Sequence, residues 1–199
     1  MISVAKTCTI DDPGSTEDII VYAGGYLQID YTCVDSDASA VDLSGATIKF
    51  TVWDIEAGAN EFQLVLQPVT DASWTTNVVT FTVADHGYSV ADSVVVEDCG
   101  NSSYDGTYTV VAVPTDNTFT AALAGDPGAF TTDGYVSMAA GTVSMTTPAS
   151  GTFSVALTDT QTDTDCKQYR YSLWIKLTGG TEHHAAVGSF YIYNGVFDS

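Results

Sequence analysis

The chain has 199 residues and a mass of 21.0 kDa, a size that suits one large domain or two small ones. A composition of 45% hydrophobic and 15% charged residues is that of a chain with a packed core, not of a disordered one. Twenty-five Asp and Glu stand against five Lys and Arg, a net charge of −20, and such a surface repels phosphate backbones and anionic lipid, which argues against nucleic-acid and membrane partners.

Most of the acids are Asp in turn-like stretches, where the short carboxylate sets the turn with its own side chain. No apolar run approaches the length needed to span a bilayer. The opening "MISVAKTCTIDDPG" lacks the apolar segment of a signal peptide, so the expectation is synthesis in a cytoplasm. Free thiols are the default there for Cys8, Cys33, Cys99 and Cys166. Cys8 and Cys33 both fall on the apolar side of their expected strands, which leaves a disulfide between them open.

Helical periodicity is almost absent and period-two alternation runs throughout. In "LQIDYTC", Leu27, Ile29, Tyr31 and Cys33 share one face. "TIKFTVW" buries Ile48, Phe50 and Val52 and turns Thr47, Lys49, Thr51 and Trp53 outward. "EFQLVLQ" offers Phe62, Leu64 and Leu66. From about Trp74 to Ala140 the texture changes to shorter, Val-rich strands ("SVVVE", "TYTVVAV", "TFTAAL", "GYVSMA") joined by Gly, Asp and Pro turns. Long alternation then returns: "TFSVALT" presents Phe153, Val155 and Leu157, and "YRYSLWIKLT" presents Tyr169, Tyr171, Leu173, Ile175 and Leu177. Gly179-Gly180 supplies a hairpin turn into "EHHAAVGSFYIY". The pattern predicts an all-β fold: a β-sandwich from residues 1–73 plus 141–199, with a small β-barrel-like module, 74–140, inserted in it.

The outer segments "GGYLQIDYTCVDSDASAVDLSGATIKFTVWD", "GTFSVALTDTQT" and "YRYSLWIKLTGGTEHHAAVGSFYIY" resemble the immunoglobulin-like N-terminal module of phage baseplate upper proteins and related virion proteins. The shared features are the "VDLSGATIKFTV" strand, a later G-x-F-x-V-x-L-T and a closing hairpin ending in V-G-x-F-x-I. The inserted stretch "ADHGYSVADSVVVEDC", with "YDGTYTVVAVPTDNTFTAAL", is similar to a small β-module of phage structural proteins. Ala91-Asp92 stands where that pattern more often has Gly-Asp. The resemblance implies virion architecture, with other virion proteins and copies of this chain as partners, and it implies no chemistry.

The residues themselves point the same way. His86, His183 and His184 have no HxH or HxxxH spacing, and neighbours on a strand face opposite sides, so a zinc site is not expected. His86, before Gly87, is expected to orient its turn by hydrogen bonding. No cofactor is expected, although "DSDAS" (Asp35, Asp37) and "DTQTDTDC" (Asp159, Asp163, Asp165) leave room for a loose Ca²⁺ cage without the features of an EF-hand. There is no G-x-S-x-G elbow, and Cys99 lies in an acidic turn that would raise a thiol pKa and blunt it. Trp53 and Trp174 fall on the polar side of their strands, beside Lys49 and Lys176, and Trp is an interface anchor. These four residues are the expected docking surface. The expected function is a non-enzymatic structural component of a tailed-phage virion, in tail or baseplate, neck, fibre adaptor or capsid decoration. The alternative is a carbohydrate-binding or host-adhesion module.

Overall fold

The computed structural model describes residues 2–10, 18–180 and 182–194. The last residues of the "MISVAKTCTIDDPG" segment, and Thr181 in the closing hairpin turn, lie outside them. The fold is all-β, and the chain divides into two compact units: Met1–Val65 with Ala140–Ser199, and Leu66–Ala139.

In the first unit, β1 (Ile2–Thr9), β3 (Leu27–Val34), β13 (Thr152–Leu157) and β12 (Thr142–Thr147) form one sheet in the order β1-β3-β13-β12. The other sheet runs β2 (Ile19–Tyr22), β15 (Glu182–Tyr193), β14 (Gln168–Lys176), β4 (Thr47–Asp54) and β5 (Ala59–Val69). Four strands in A-B-E-D order against C-F-G (β4-β14-β15) is the layout of an immunoglobulin-like sandwich, here with β5 added beyond C and β2 beyond G. The alternation expected from sequence supplies its core. Leu27, Ile29, Tyr31, Phe153 and Val155 are buried on one sheet, and Ile48, Phe50, Tyr171, Leu173 and Phe190 on the other. Tyr31 stacks on Phe153 with ring centroids 5.1 Å apart, and Phe50 on Tyr171 at 5.7 Å.

One strand departs from that layout. β1 lies parallel to β3, in a register that sets Cys8 opposite Cys33. Their Cα atoms are 4.7 Å apart and the sulfurs are joined, so for this pair the free-thiol default does not hold. The antibody-domain disulfide crosses between sheets. This one ties two neighbouring strands of a single sheet.

The second unit holds β6 (Asp71–Thr75), β7 (Val78–Thr82), β8 (Ser93–Glu97), β9 (Gly106–Thr115), β10 (Thr118–Ala122) and β11 (Gly134–Met138). With the end of β5 they pair in the order β5-β11-β8-β9-β10-β7-β6. Only Thr70 separates β5 from β6, so the two end strands of this sheet are consecutive in the chain and the sheet must curl on itself. Inside it Phe81 packs on Phe119 (5.2 Å between centroids), Tyr108 (5.3 Å) and Tyr104 (6.4 Å). Gly134 fits because a Cβ there would run into the Cys99 sulfur.

The expected boundary at 73/74 differs from the observed one at 65/66. The reason is that β5 is continuous: Leu66–Val69 finish a strand begun at Ala59 while pairing with β11. Trp74 lies inside a hairpin opposite Val79, and its indole N–H donates to the Leu123 carbonyl at 2.9 Å. A change of sequence texture marks where the strands shorten. It does not mark where a strand passes from one unit to the next.

Candidate functional site

Antiparallel pairing of β4 with β14 sets Trp174 opposite Lys49 and Trp53 opposite Arg170, with Ser172 opposite Thr51 between them. Directly opposed residues project from the same face of a sheet. The expected residues Trp53, Trp174, Lys49 and Lys176 therefore share the outer face of this sheet, since Lys176 stands two residues beyond Trp174 on β14. Indoles and cations alternate across the strand pair.

The face is concave. A groove of about 660 Å³ lies over it, lined among others by Lys49, Trp53, Gln63, Arg170, Trp174 and Ser189. That volume falls within the range of small-ligand sites. Trp53 is 42% exposed and Trp174 is half-buried, its ring against His184 on β15. Thr51, which the alternation turned outward, is buried, and the amide of Gln63 on the neighbouring β5 donates to its Oγ1 at 2.8 Å. On β2 and β15 the same face continues as exposed Ile20, Tyr22 and Tyr193, with Tyr191 stacked on Tyr193 at 5.9 Å.

The electrostatics of the face set it apart from the rest of the chain. Of five Lys and Arg, Lys49, Arg170 and Lys176 are exposed here. The other two are engaged elsewhere. Lys6 is buried and donates to the Asp18 carbonyl at 3.3 Å, and Lys167 donates to Asp54 Oδ2 at 2.7 Å. Among the described residues Lys49 and Arg170 form no ion pair, and Lys176 has only the exposed Glu182 at 3.8 Å. Among the described residues one carboxylate, Asp18, lines the groove. Sequence reasoning missed Arg170, although it stands on the same face of "YRYSLWIKLT" as Trp174. It also missed Ile20, Tyr22 and Tyr193, whose exposure depends on which strands flank them.

Among the other candidate residues, His86, Asp35 and Asp159 hold turns together. His86 is buried, and its Nδ1 accepts the Tyr88 backbone N–H at 2.9 Å, which orients the turn as expected. His184 lies opposite Trp174 and His183 opposite Ile175, on different faces. Asp35 Oδ1 accepts the N–H groups of Asp37 and Ser39, both at 2.9 Å, and Asp159 Oδ1 accepts that of Thr160 at 2.9 Å. Asp159 opens a four-residue helix, α1 (Asp159–Thr162), just after Thr158, whose N–H and hydroxyl both donate to Gln161 Oε1. Among the described residues no three His, Cys, Asp or Glu are grouped to hold a metal ion. Burial, more than the neighbouring Asp105 and Asp98, pushes the Cys99 thiol up to about 12. The sequence had assigned that shift to the carboxylates alone. A thiol so held is a poor nucleophile at neutral pH.

No family model matches the chain, and no curated protein does. Among solved structures, the N-terminal domain of phage TP901-1 ORF48 is similar at 8% identity and a TM-score of 0.40, over 98% of this chain and 100% of that one. A likeness at that level carries no argument about function.

Proposed function

We propose that the protein is a non-enzymatic structural component of a tailed-phage virion that works by docking, with the outer face of the β2-β15-β14-β4-β5 sheet as its contact surface. The observation that carries the docking role is the grouping of two tryptophans with three of the chain's five cations on one concave sheet face. Aromatic and Arg side chains are the residue types that anchor interfaces. The virion context rests on the sequence resemblance of both the sandwich and the inserted module. Repetition of copies in a particle lets a modest contact suffice, because many act together. The partners are other virion proteins and copies of this chain, and the place of action is the virion after synthesis in the host cytoplasm.

The test is to replace Trp53 and Trp174 with Ser. The monomer should stay folded by circular dichroism and lose incorporation into particles; normal incorporation overturns the proposed surface. The groove's volume and indole lining favour one second reading, carbohydrate binding or host adhesion. A glycan array with the isolated protein separates the two.

A further inference from the structure

We infer that the groove on the outer sheet face receives the anionic second unit of another copy of this chain, docked head to tail. The inference rests on the reading of this face as a docking surface and names its occupant.

The argument is charge complementarity. The unit Leu66–Ala139 contains eight Asp and one Glu and not one Lys or Arg. The groove is lined by Lys49 and Arg170 with Lys176 on the same sheet face, whereas Lys6 and Lys167 are engaged by the Asp18 carbonyl and the Asp54 carboxylate. A copy approaching with its second unit forward meets attraction at this face and repulsion nearly everywhere else, so the field selects both the face and the orientation. A face-to-face dimer is disfavoured by the same arithmetic, because it would set Lys49, Arg170 and Lys176 against their own copies. The contact is therefore heterologous, made between two different patches.

The second unit also has an apolar centre to offer. Val90 and Val111 are its two most exposed large apolar side chains, at 61% and 58%. The Ala91 N–H donates to the Val110 carbonyl at 2.9 Å, which holds the two valines close together. Half-buried Asp92 borders them, its carbonyl accepting the Val110 N–H at 2.9 Å. A small apolar knob bordered by Asp92, in a unit without a cation, fits a groove with indoles and cations around it. Repulsion between two bodies of net charge −20 opposes the encounter, but at ionic strengths of about 0.15 M the Debye length is about 8 Å. Distant carboxylates are then screened while contact pairs persist.

Sedimentation velocity on the full chain at about that ionic strength tests the inference with two double variants, Lys49→Glu/Arg170→Glu and Val90→Asp/Val111→Asp. The wild type should associate progressively with concentration. Each double variant alone should be monomeric. Mixed in equal amounts they should form a one-to-one heterodimer and nothing larger, since one supplies the intact knob and the other the intact groove. All four positions are exposed, so thermal midpoints should stay near wild type, and Lys49→Ser/Arg170→Ser replaces the Glu pair if that pair unfolds. A monomeric wild type, variants that associate like wild type, or a mixture that stays monomeric each overturns self-docking. So does a monomeric wild type whose Trp fluorescence is quenched by polygalacturonate, an outcome that gives the groove to an acidic sugar. If self-docking fails while particle incorporation still depends on Trp53 and Trp174, the occupant is wrong and the docking surface stands. If incorporation is indifferent to both tryptophans, the surface itself falls.

Discussion

The two units reach stability by different routes. In the first, long strands alternate cleanly, two sheets bury one face each, and a disulfide ties β1 to β3. In the second, strands of mostly five residues curl around an aromatic cluster of Phe81, Tyr104, Tyr108 and Phe119 without a disulfide. The surfaces differ as well: exposed cations stand on one sheet face of the first unit, and the second has none. A sandwich whose core needs only one side of each sheet leaves an outer face free to be specialised. A small curled sheet spends its large side chains inside and leaves its turns, rich in Asp and Gly, to set the surface.

The sharpest way to break this comparison is to damage one core at a time. Phe81→Ala in the second unit and Phe50→Ala in the first each delete a fully buried ring and should cost about 3–5 kcal/mol. If the units are separate cooperative bodies, calorimetry should show Phe81→Ala lowering one transition and Phe50→Ala the other. A single transition shifted by both would show that the continuous strand β5 couples them into one folding unit. Reduction of Cys8–Cys33 should come next, removing about 2–4 kcal/mol from the first unit alone. Thiol counting adds a check on both. Native protein should react at exposed Cys166 and not at buried Cys99, and both should react once the chain is unfolded.

The sequence showed the sandwich more clearly than the module, for physical reasons. Strands with one wet face alternate, so Leu27 to Cys33 or Tyr169 to Ile175 announce their buried sides directly. Pairing partners leave no such trace. Nothing in the local pattern reports that β1 runs parallel to β3, that β5 continues past residue 65, or that Trp53 stands opposite Arg170. The proposed docking face was therefore half legible: its tryptophans and lysines were on the wrong side of their strands by parity, while Arg170, Gln63 and the Ile20–Tyr22–Tyr193 extension needed the sheet order.

Ala91 shows a case in which the departure from a pattern carried its own explanation. It occupies the third position of the Ser89–Asp92 turn, closed by the Asp92 N–H donating to the Ser89 carbonyl at 3.1 Å, and its φ is +77°. A turn that requires positive φ there favours Gly. Ala91→Gly should relieve that strain at the expense of chain entropy and stabilise the second unit by about 0.5–1 kcal/mol, read as a rise in its own transition. No gain would mean that the turn is held without strain.

The smallest effect separates charge from geometry in the first unit. Asp54 Oδ1 accepts the N–H groups of Glu56 (2.9 Å) and Ala57 (3.1 Å), while Oδ2 takes the Lys167 ammonium at 2.7 Å. The bond to Lys167, then that to Ala57, holds the Asp54 carboxyl below the usual range, and Asp54 in turn raises Lys167. Asp54 has a lowered folded pKa, so its contribution is complete above the unfolded value of about 3.9 and is lost as pH falls through the folded one. Lys167 has a raised folded pKa, so its contribution is complete below about 10.4 and is lost as pH rises through the folded value. Asp54→Asn keeps an oxygen for the two backbone donors and removes only the charge. Denaturation midpoints of wild type and variant should therefore differ by a small, constant amount between about pH 5 and 9 and converge below pH 4. A difference that persists unchanged into acid would assign the role of Asp54 to its turn rather than to its ion pair.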